Sequence, residues 1–167
     1  MERILVIGCP GSGKSCFARK LAAITRYPLH HLDLLYWNAD QTTVGENVFR
    51  ARLEGILRTP LWIIDGNYAS TLPLRLERCD TVFLLDYPVQ TCIRGVEMRM
   101  NRPRPDLPWI ENTRDEEFLE FIRRFPEDVL PGIYTLLESH PEKQCHIFRS
   151  RSEADSFLRK TEEASSP

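Results

Sequence analysis

The segment Gly8-Cys9-Pro10-Gly11-Ser12-Gly13-Lys14-Ser15 has the spacing G-x-x-x-x-G-K-[ST], a pattern suited to wrapping backbone amides around phosphate. Gly8, Gly11 and Gly13 allow conformations closed to residues with a Cβ, and allow close approach to an anion. The expected nest runs from Gly8 through Pro10, Gly11, Ser12 and Gly13 to Ser15 and Cys16 in the first turn of a helix. That helix start adds unpaired N–H donors and partial positive charge. Lys14 is expected at the β- and γ-phosphates, and the Ser15 hydroxyl on Mg²⁺. The chemistry implied is binding of a nucleoside triphosphate, ATP, with Mg²⁺.

Other residues could act beside such a loop. Asp65 ends the apolar run Leu61-Trp62-Ile63-Ile64 and precedes Gly66, the form of a carboxylate that holds Mg²⁺. Asp86 is its competitor, with a helix cap as the alternative use. Asp33, in His30-His31-Leu32-Asp33-Leu34-Leu35-Tyr36-Trp37, is placed to accept a hydrogen bond from an acceptor hydroxyl or take its proton. A turn cap is the plainer use. His31 lacks a metal-binding partner pattern and reads as packing or acceptor contact. Trp37 and Tyr36 could stack on a flat substrate or pack a core. Asn67 and Tyr68 are expected on the crevice wall, with Arg75 and Arg78 as weaker acceptor contacts.

Arg94, Arg99, Arg102 and Arg104 lead into Pro105-Asp106-Leu107-Pro108-Trp109. This stretch reads as a lid over about 100–114, with Arg99 and Arg102 the arginines expected to stabilise a transferring phosphoryl group. Arg149 and Arg151, after the last apolar run, are placed for the nucleotide base, while Ser152 could cap a helix. Cys9 lies in the glycine loop, where oxidation would obstruct a nucleotide.

These residues need elements to hold them. Ile4-Leu5-Val6-Ile7 is too short for a helix and right for a buried strand, with a helix following over 14–25. Pro28–Leu32, Leu61–Asp65, Thr81–Leu85 and Cys145–Phe148 read as further strands. Helices are expected over about 46–58 and 89–100, around Phe118–Phe125 and Val129–Leu137, and after 150 to about 160. Strands that are apolar throughout, alternating with helices, specify an α/β fold with a parallel sheet covered on both faces. Ligands then gather at the strand C-termini, so the residues after strands 1, 2, 3 and 5 are expected in one crevice. The expectation is a single domain over 1–160, an acceptor-binding segment over about 33–60, and a flexible tail over 161–167.

With 42% hydrophobic and 28% charged residues and a net charge of −2, the 167-residue chain has no basic field for nucleic acid or anionic lipid. No run reaches the ~18–20 apolar residues of a membrane span. Five cysteines without metal-ligand spacing suggest reduced thiols, and the opening residues do not read as a secretory signal. A cytoplasmic protein is expected, monomer or homodimer, with ATP and a small molecule as partners and no direct nucleic-acid contact.

Together the motifs resemble the adenylate-kinase-like branch of P-loop kinases, and more closely the bacterial DNA topology modulation protein group. The segments carrying this are Gly8–Ser15, His31-Leu32-Asp33 with Tyr36-Trp37, Trp62–Tyr68, and Arg102–Trp109. The resemblance implies a three-layer P-loop NTPase fold with a five-stranded sheet in the order 2-3-1-4-5 and an arginine lid. Lys14, Ser15 and Asp65 would carry over as phosphate and magnesium residues, and Arg99 and Arg102 as lid residues. The chain departs from adenylate kinase after strand 3, where it reads Asp65-Gly66-Asn67-Tyr68 in place of Asp-Gly-Phe-Pro-Arg. It departs from shikimate kinase after strand 2, where His31-x-Asp33 replaces Asp-x-Asp. The implied activity is phosphoryl transfer to a nucleoside monophosphate or small hydroxyl compound. The alternatives are a nucleotide-dependent switch with slow hydrolysis, and a nucleic-acid-binding protein affecting DNA topology.

Overall fold

At the centre of the fold lies β1 (Arg3–Gly8), whose Ile4, Leu5, Val6 and Ile7 are fully buried. A strand apolar on both faces is stable only in the middle of a sheet covered on both sides. In the computed structural model, which describes residues 1–165, that sheet has five strands. The others are β2 (Leu29–His31), β3 (Trp62–Asp65), β4 (Thr81–Leu85) and β5 (Gln144–Phe148). Their order is β2-β3-β1-β4-β5 and every pairing is parallel, as the resemblance implied. All C-terminal strand ends therefore share one edge.

Register decides what meets at that edge. His31 is the partner of Asp65 across β2 and β3, and Asp65 is also the partner of Val6 in β1. Helix α1 (Lys14–Thr25) packs Phe17, Ala18 and Leu21 inward, with the Phe17 ring 5.1 Å from Phe83 and 5.7 Å from Phe148.

The elements α3 (Glu46–Leu57), α5 (Val89–Arg99), α6 (Glu116–Asp128) and α7 (Leu130–Glu138) lie where apolar spacing places them. Two more helices were not expected. Helix α2 (Leu32–Tyr36) is a single short turn beginning directly at the end of β2. Helix α4 (Leu72–Arg78), entered through a 3-10 turn at Ala69–Thr71, has a proline in its first turn, where a missing N–H costs nothing. Helix α8 (Arg151–Ser165) continues through positions expected to be an unstructured tail. The last two positions of that expected tail lie outside the described residues.

The glycine loop is seated by close backbone approach. A Cβ on Gly11 would stand 2.0 Å from the Cys92 carbonyl oxygen of α5. A Cβ on Gly95, one turn along, would stand 2.0 Å from the Gly11 carbonyl oxygen. Gly95 has ordinary helical geometry, so its reason for being glycine is this contact. Gly55 in α3 has no such neighbour within 4 Å. Gly95→Ala is therefore expected to destabilise the protein by more than about 1 kcal/mol and displace the loop. Gly55→Ala should stabilise it by about 0.5–1 kcal/mol, through helix propensity alone. Urea denaturation of both variants reads the opposite signs.

Candidate active site

A crevice of about 610 Å³ opens at the C-terminal edge of the sheet. Pro10, Lys14 and Ser15 form its end at the glycine loop, and Asp33 and Trp37 one side. Asp65 through Tyr68 form the floor, and the segment following α5 the opposite wall. At the loop, α1 starts immediately after Gly13, whose φ of +95° is favoured only for glycine. The free N–H groups of that first turn suit an anion.

The floor is held from beneath by Arg75. This side chain is fully buried in α4, behind the crevice and outside its lining. Nη1 donates to the Gly66 carbonyl at 2.9 Å, and Nη2 to those of Asn67 and of Tyr68, the latter at 3.1 Å. Arg75 therefore shapes the wall and does not reach an acceptor, contrary to the sequence reading. Asn67 is also committed internally. Its Nδ2 donates to Gly8 O at 2.8 Å and its Oδ1 accepts from Gly8 N–H at 3.0 Å. The paired bonds tie the loop after β3 to the start of the glycine loop, so this amide is a clamp more than an acceptor contact.

Tyr68, next along the chain, has a left-handed φ of +39° that turns its ring toward α2. Its hydroxyl donates to Asp33 Oδ1 at 2.8 Å. Burial pushes the Asp33 carboxyl up from the ordinary aspartate value, and the Tyr68 hydrogen bond only partly opposes that. A carboxylate made more basic and facing a crevice is fit to receive a proton.

Asp65 is 4% exposed, and its Oδ2 is 2.7 Å from His31 Nδ1. The parallel register that puts these residues side by side creates the pair, so His31 holds Asp65 in one orientation and does not line the crevice. Asp65 Oδ1 is buried without a hydrogen-bond partner. An orphaned carboxylate oxygen in the crevice that Ser15 also lines suits a hard divalent cation. Among the described residues no larger His, Cys, Asp or Glu cluster gathers, so Mg²⁺ here would complete its shell with phosphate oxygens and water.

The lid residues are sorted differently from expectation. Arg99 lines the crevice, whereas Arg102 is exposed outside it and Arg104 takes the inner place. The chain turns back where the Asn101 N–H donates to Glu111 O at 2.8 Å. Buried acids then select Arg104. It pairs with Asp106 and, at 2.5 Å, with Glu111, which also holds Arg99 at 3.0 Å. Arg19 reaches Asp106 from α1 at 3.2 Å. Burial alone would raise the Asp106 carboxyl, but the Arg104 hydrogen bond and charge hold it down at about 2.

Arg149 and Arg151, expected at the nucleotide base, stand outside this crevice. Arg149 pairs with Asp86 and lies over the Tyr134 ring at 5.8 Å. The Arg151 Nη2 lies 3.2 Å from where a Gly95 Cβ would be, against α5. Asp86 also accepts from the Tyr134 hydroxyl at 2.7 Å, which leaves Asp65 rather than Asp86 as the cation candidate in the crevice. Cys9 is buried, and a hydrogen bond with Cys92, together with burial, pushes its thiol up, so it is not a reactive thiolate.

Two measurements test this arrangement. Arg75→Leu strands three carbonyls and should cost about 2–4 kcal/mol in urea denaturation. Asp106 is held at about 2 against 3.8 for an ordinary aspartate, so the folded state binds fewer protons between those values. Its contribution, about 2 kcal/mol, is complete above about pH 4 and is lost as pH falls toward about 2. The stability gap between the parent protein and Asp106→Asn should shrink by that amount over this range.

No protein-family model matches the chain, and no curated protein matches it in sequence. Solved structures do match in fold. Shikimate kinase from Bacteroides thetaiotaomicron superposes with a TM-score of 0.63 at 20% identity, over 98% of this chain and 97% of that one. Shikimate kinase from Acinetobacter baumannii, in complex with shikimate, gives 0.65 at 18% identity, over 96% and 90%. A gluconokinase from Sinorhizobium meliloti 1021 gives 0.58 at 12% identity, over 98% and 91%. The chain thus shares the fold of these solved kinases across nearly its whole length.

Proposed function

We propose that this protein is a P-loop kinase that moves the γ-phosphoryl group of ATP to a hydroxyl of a small acceptor. The observation that carries this reading is one crevice holding, in order, Lys14 and Ser15, the orphaned Asp65 oxygen, and the buried Asp33–Tyr68 pair. Shikimate kinase and gluconokinase, which share the fold, are kinases of small molecules. The segments that resemble the DNA topology modulation group, His31–Trp37, Asp65–Tyr68 and Arg102–Trp109, all meet at this crevice or directly support it. That convergence favours acceptor chemistry over a DNA-facing surface.

In this reading the glycine-loop amides and Lys14 hold the β- and γ-phosphates. Mg²⁺, bound by the Ser15 hydroxyl and Asp65, would neutralise charge on the phosphate oxygens. Asp33 accepts the proton of the acceptor hydroxyl as the new O–P bond forms and the bond to ADP breaks. Tyr68 orients that carboxylate. Arg99 and Arg104 form the inner face of a lid that excludes water, and Arg102 stands at its rim.

With γ-³²P-ATP and a panel of small alcohols, a labelled acceptor is the expected product. Lys14→Ala should lower its formation by about 10²–10³. Asp33→Asn should lower kcat by about 10²–10⁴. In the parent enzyme, kcat/KM should rise with pH through a pKa above the ordinary carboxylate value, because Asp33 must be ionised to act. That limb should vanish in Asp33→Asn. Labelled free phosphate alone, whatever alcohol is added, would overturn the proposal in favour of a nucleotide-dependent switch.

A further inference from the structure

The acceptor half of the crevice has a character the sequence did not reveal. Its cations are already committed. Arg104 is held between Asp106 and Glu111, and Arg99 is held by Glu111. Asp106 is 3% exposed, so drawing Arg104 away to a substrate anion would strand a buried carboxylate. Arg114, nearer the mouth, is paired with Glu97 and Glu116. Among the described residues lining the crevice, Lys14 at the glycine loop is thus the one cation without a carboxylate partner. Acids outnumber bases along the lining, and Asp33 sits where the acceptor must come. A second anionic group on the acceptor would meet carboxylates, and Arg99 and Arg104, which share Glu111, would have to give up part of that pairing to receive it.

The same half is walled by rings. Trp37, at the end of α2, meets Trp109 of the lid edge to face, with centroids 5.5 Å apart at 81°. Tyr36, Phe49 and Tyr68 back this wall with centroid spacings of 5.0–5.3 Å, which leaves little freedom to its rings. Phe118 lines the side beneath Arg99. Flat apolar walls with one carboxylate–phenol pair bind a flat apolar body carrying a hydroxyl.

We propose, resting on the phosphotransfer reading above, that the acceptor is a neutral alcohol built on a flat ring, of nucleoside size, packed against the wall that Trp37 and Trp109 form together. The ring occupies the aromatic walls and its hydroxyl donates to Asp33, in line with a phosphate held at Lys14. A nucleoside monophosphate or a hydroxy acid is disfavoured, because its anion must compete with Asp106 and Glu111 for a guanidinium.

The test uses matched probes: thymidine and dTMP, adenosine and AMP, benzyl alcohol and 4-(hydroxymethyl)benzoate. Binding is followed by tryptophan fluorescence, with Trp62 fully buried as a constant background, and transfer by γ-³²P-ATP. The neutral member of at least one pair should bind about tenfold or more tightly than its charged counterpart, and Trp109→Leu should weaken that binding about tenfold. Trp37→Phe, which keeps a ring in the wall, should weaken it less. Tighter or equal binding of the charged members, binding of no neutral member, or indifference to Trp109→Leu would overturn the proposal. Neutral binding without label transfer would support the proposed ligand class and overturn the phosphotransfer reading, so the two fail separately.

Discussion

A guanidinium buried without a carboxylate must find acceptors elsewhere, and for Arg75 these are three consecutive carbonyls after β3. Burial pulls its pKa down, and the three carbonyls take the place of the water that this charge has lost. The loop is thereby fixed in a left-handed turn at Tyr68 that open chain would rarely adopt. From that turn follow both the Asn67 clamp on Gly8 and the Tyr68 hydroxyl on Asp33. One buried charge thus couples the glycine-loop end of the crevice to the Asp33 end.

A second constraint is register. In a parallel sheet, residues opposite one another project to the same side, so the pairing of β2 with β3 sets His31 against Asp65. One Asp65 oxygen is thereby committed and the other left free. The asymmetry matters chemically. A carboxylate anchored at one oxygen presents the other with little entropy left to lose when it takes a ligand.

The lid is organised by charge pairing rather than by secondary structure. Between α5 and α6 the chain has several prolines and no regular element, yet Asp106 and Glu111 draw Arg19, Arg99 and Arg104 into one network. Such a network holds the segment against the crevice, beside the aromatic wall of Trp37 and Trp109. The glycine loop is fixed by a different means, the contact of Gly11 with Gly95, where absence of two side chains lets a helix and a loop touch backbone to backbone.

Much of this was legible in the sequence because it depends on local order. The strands were apolar runs, the helices apolar stripes, and the glycine loop a fixed spacing next to both. Asp65 and Asp33 were found because each stands at or just past the end of a strand, and strand ends converge in a parallel sheet. Helices α2 and α4 escaped because they are short and their burial comes from tertiary contact, not from their own periodicity. The choice of Arg104 over Arg102, the inward commitment of Arg75 and Asn67, and the removal of Arg149 to Asp86 escaped for a related reason. Each depends on which acid or carbonyl stands nearby in space, and those partners lie as far as 63 positions away along the chain. The sequence by itself determined the elements and the chemistry they could carry; only the tertiary structure decided which polar groups are spent on one another and which remain free to meet a substrate, because pairing is settled by proximity and burial that no linear spacing records.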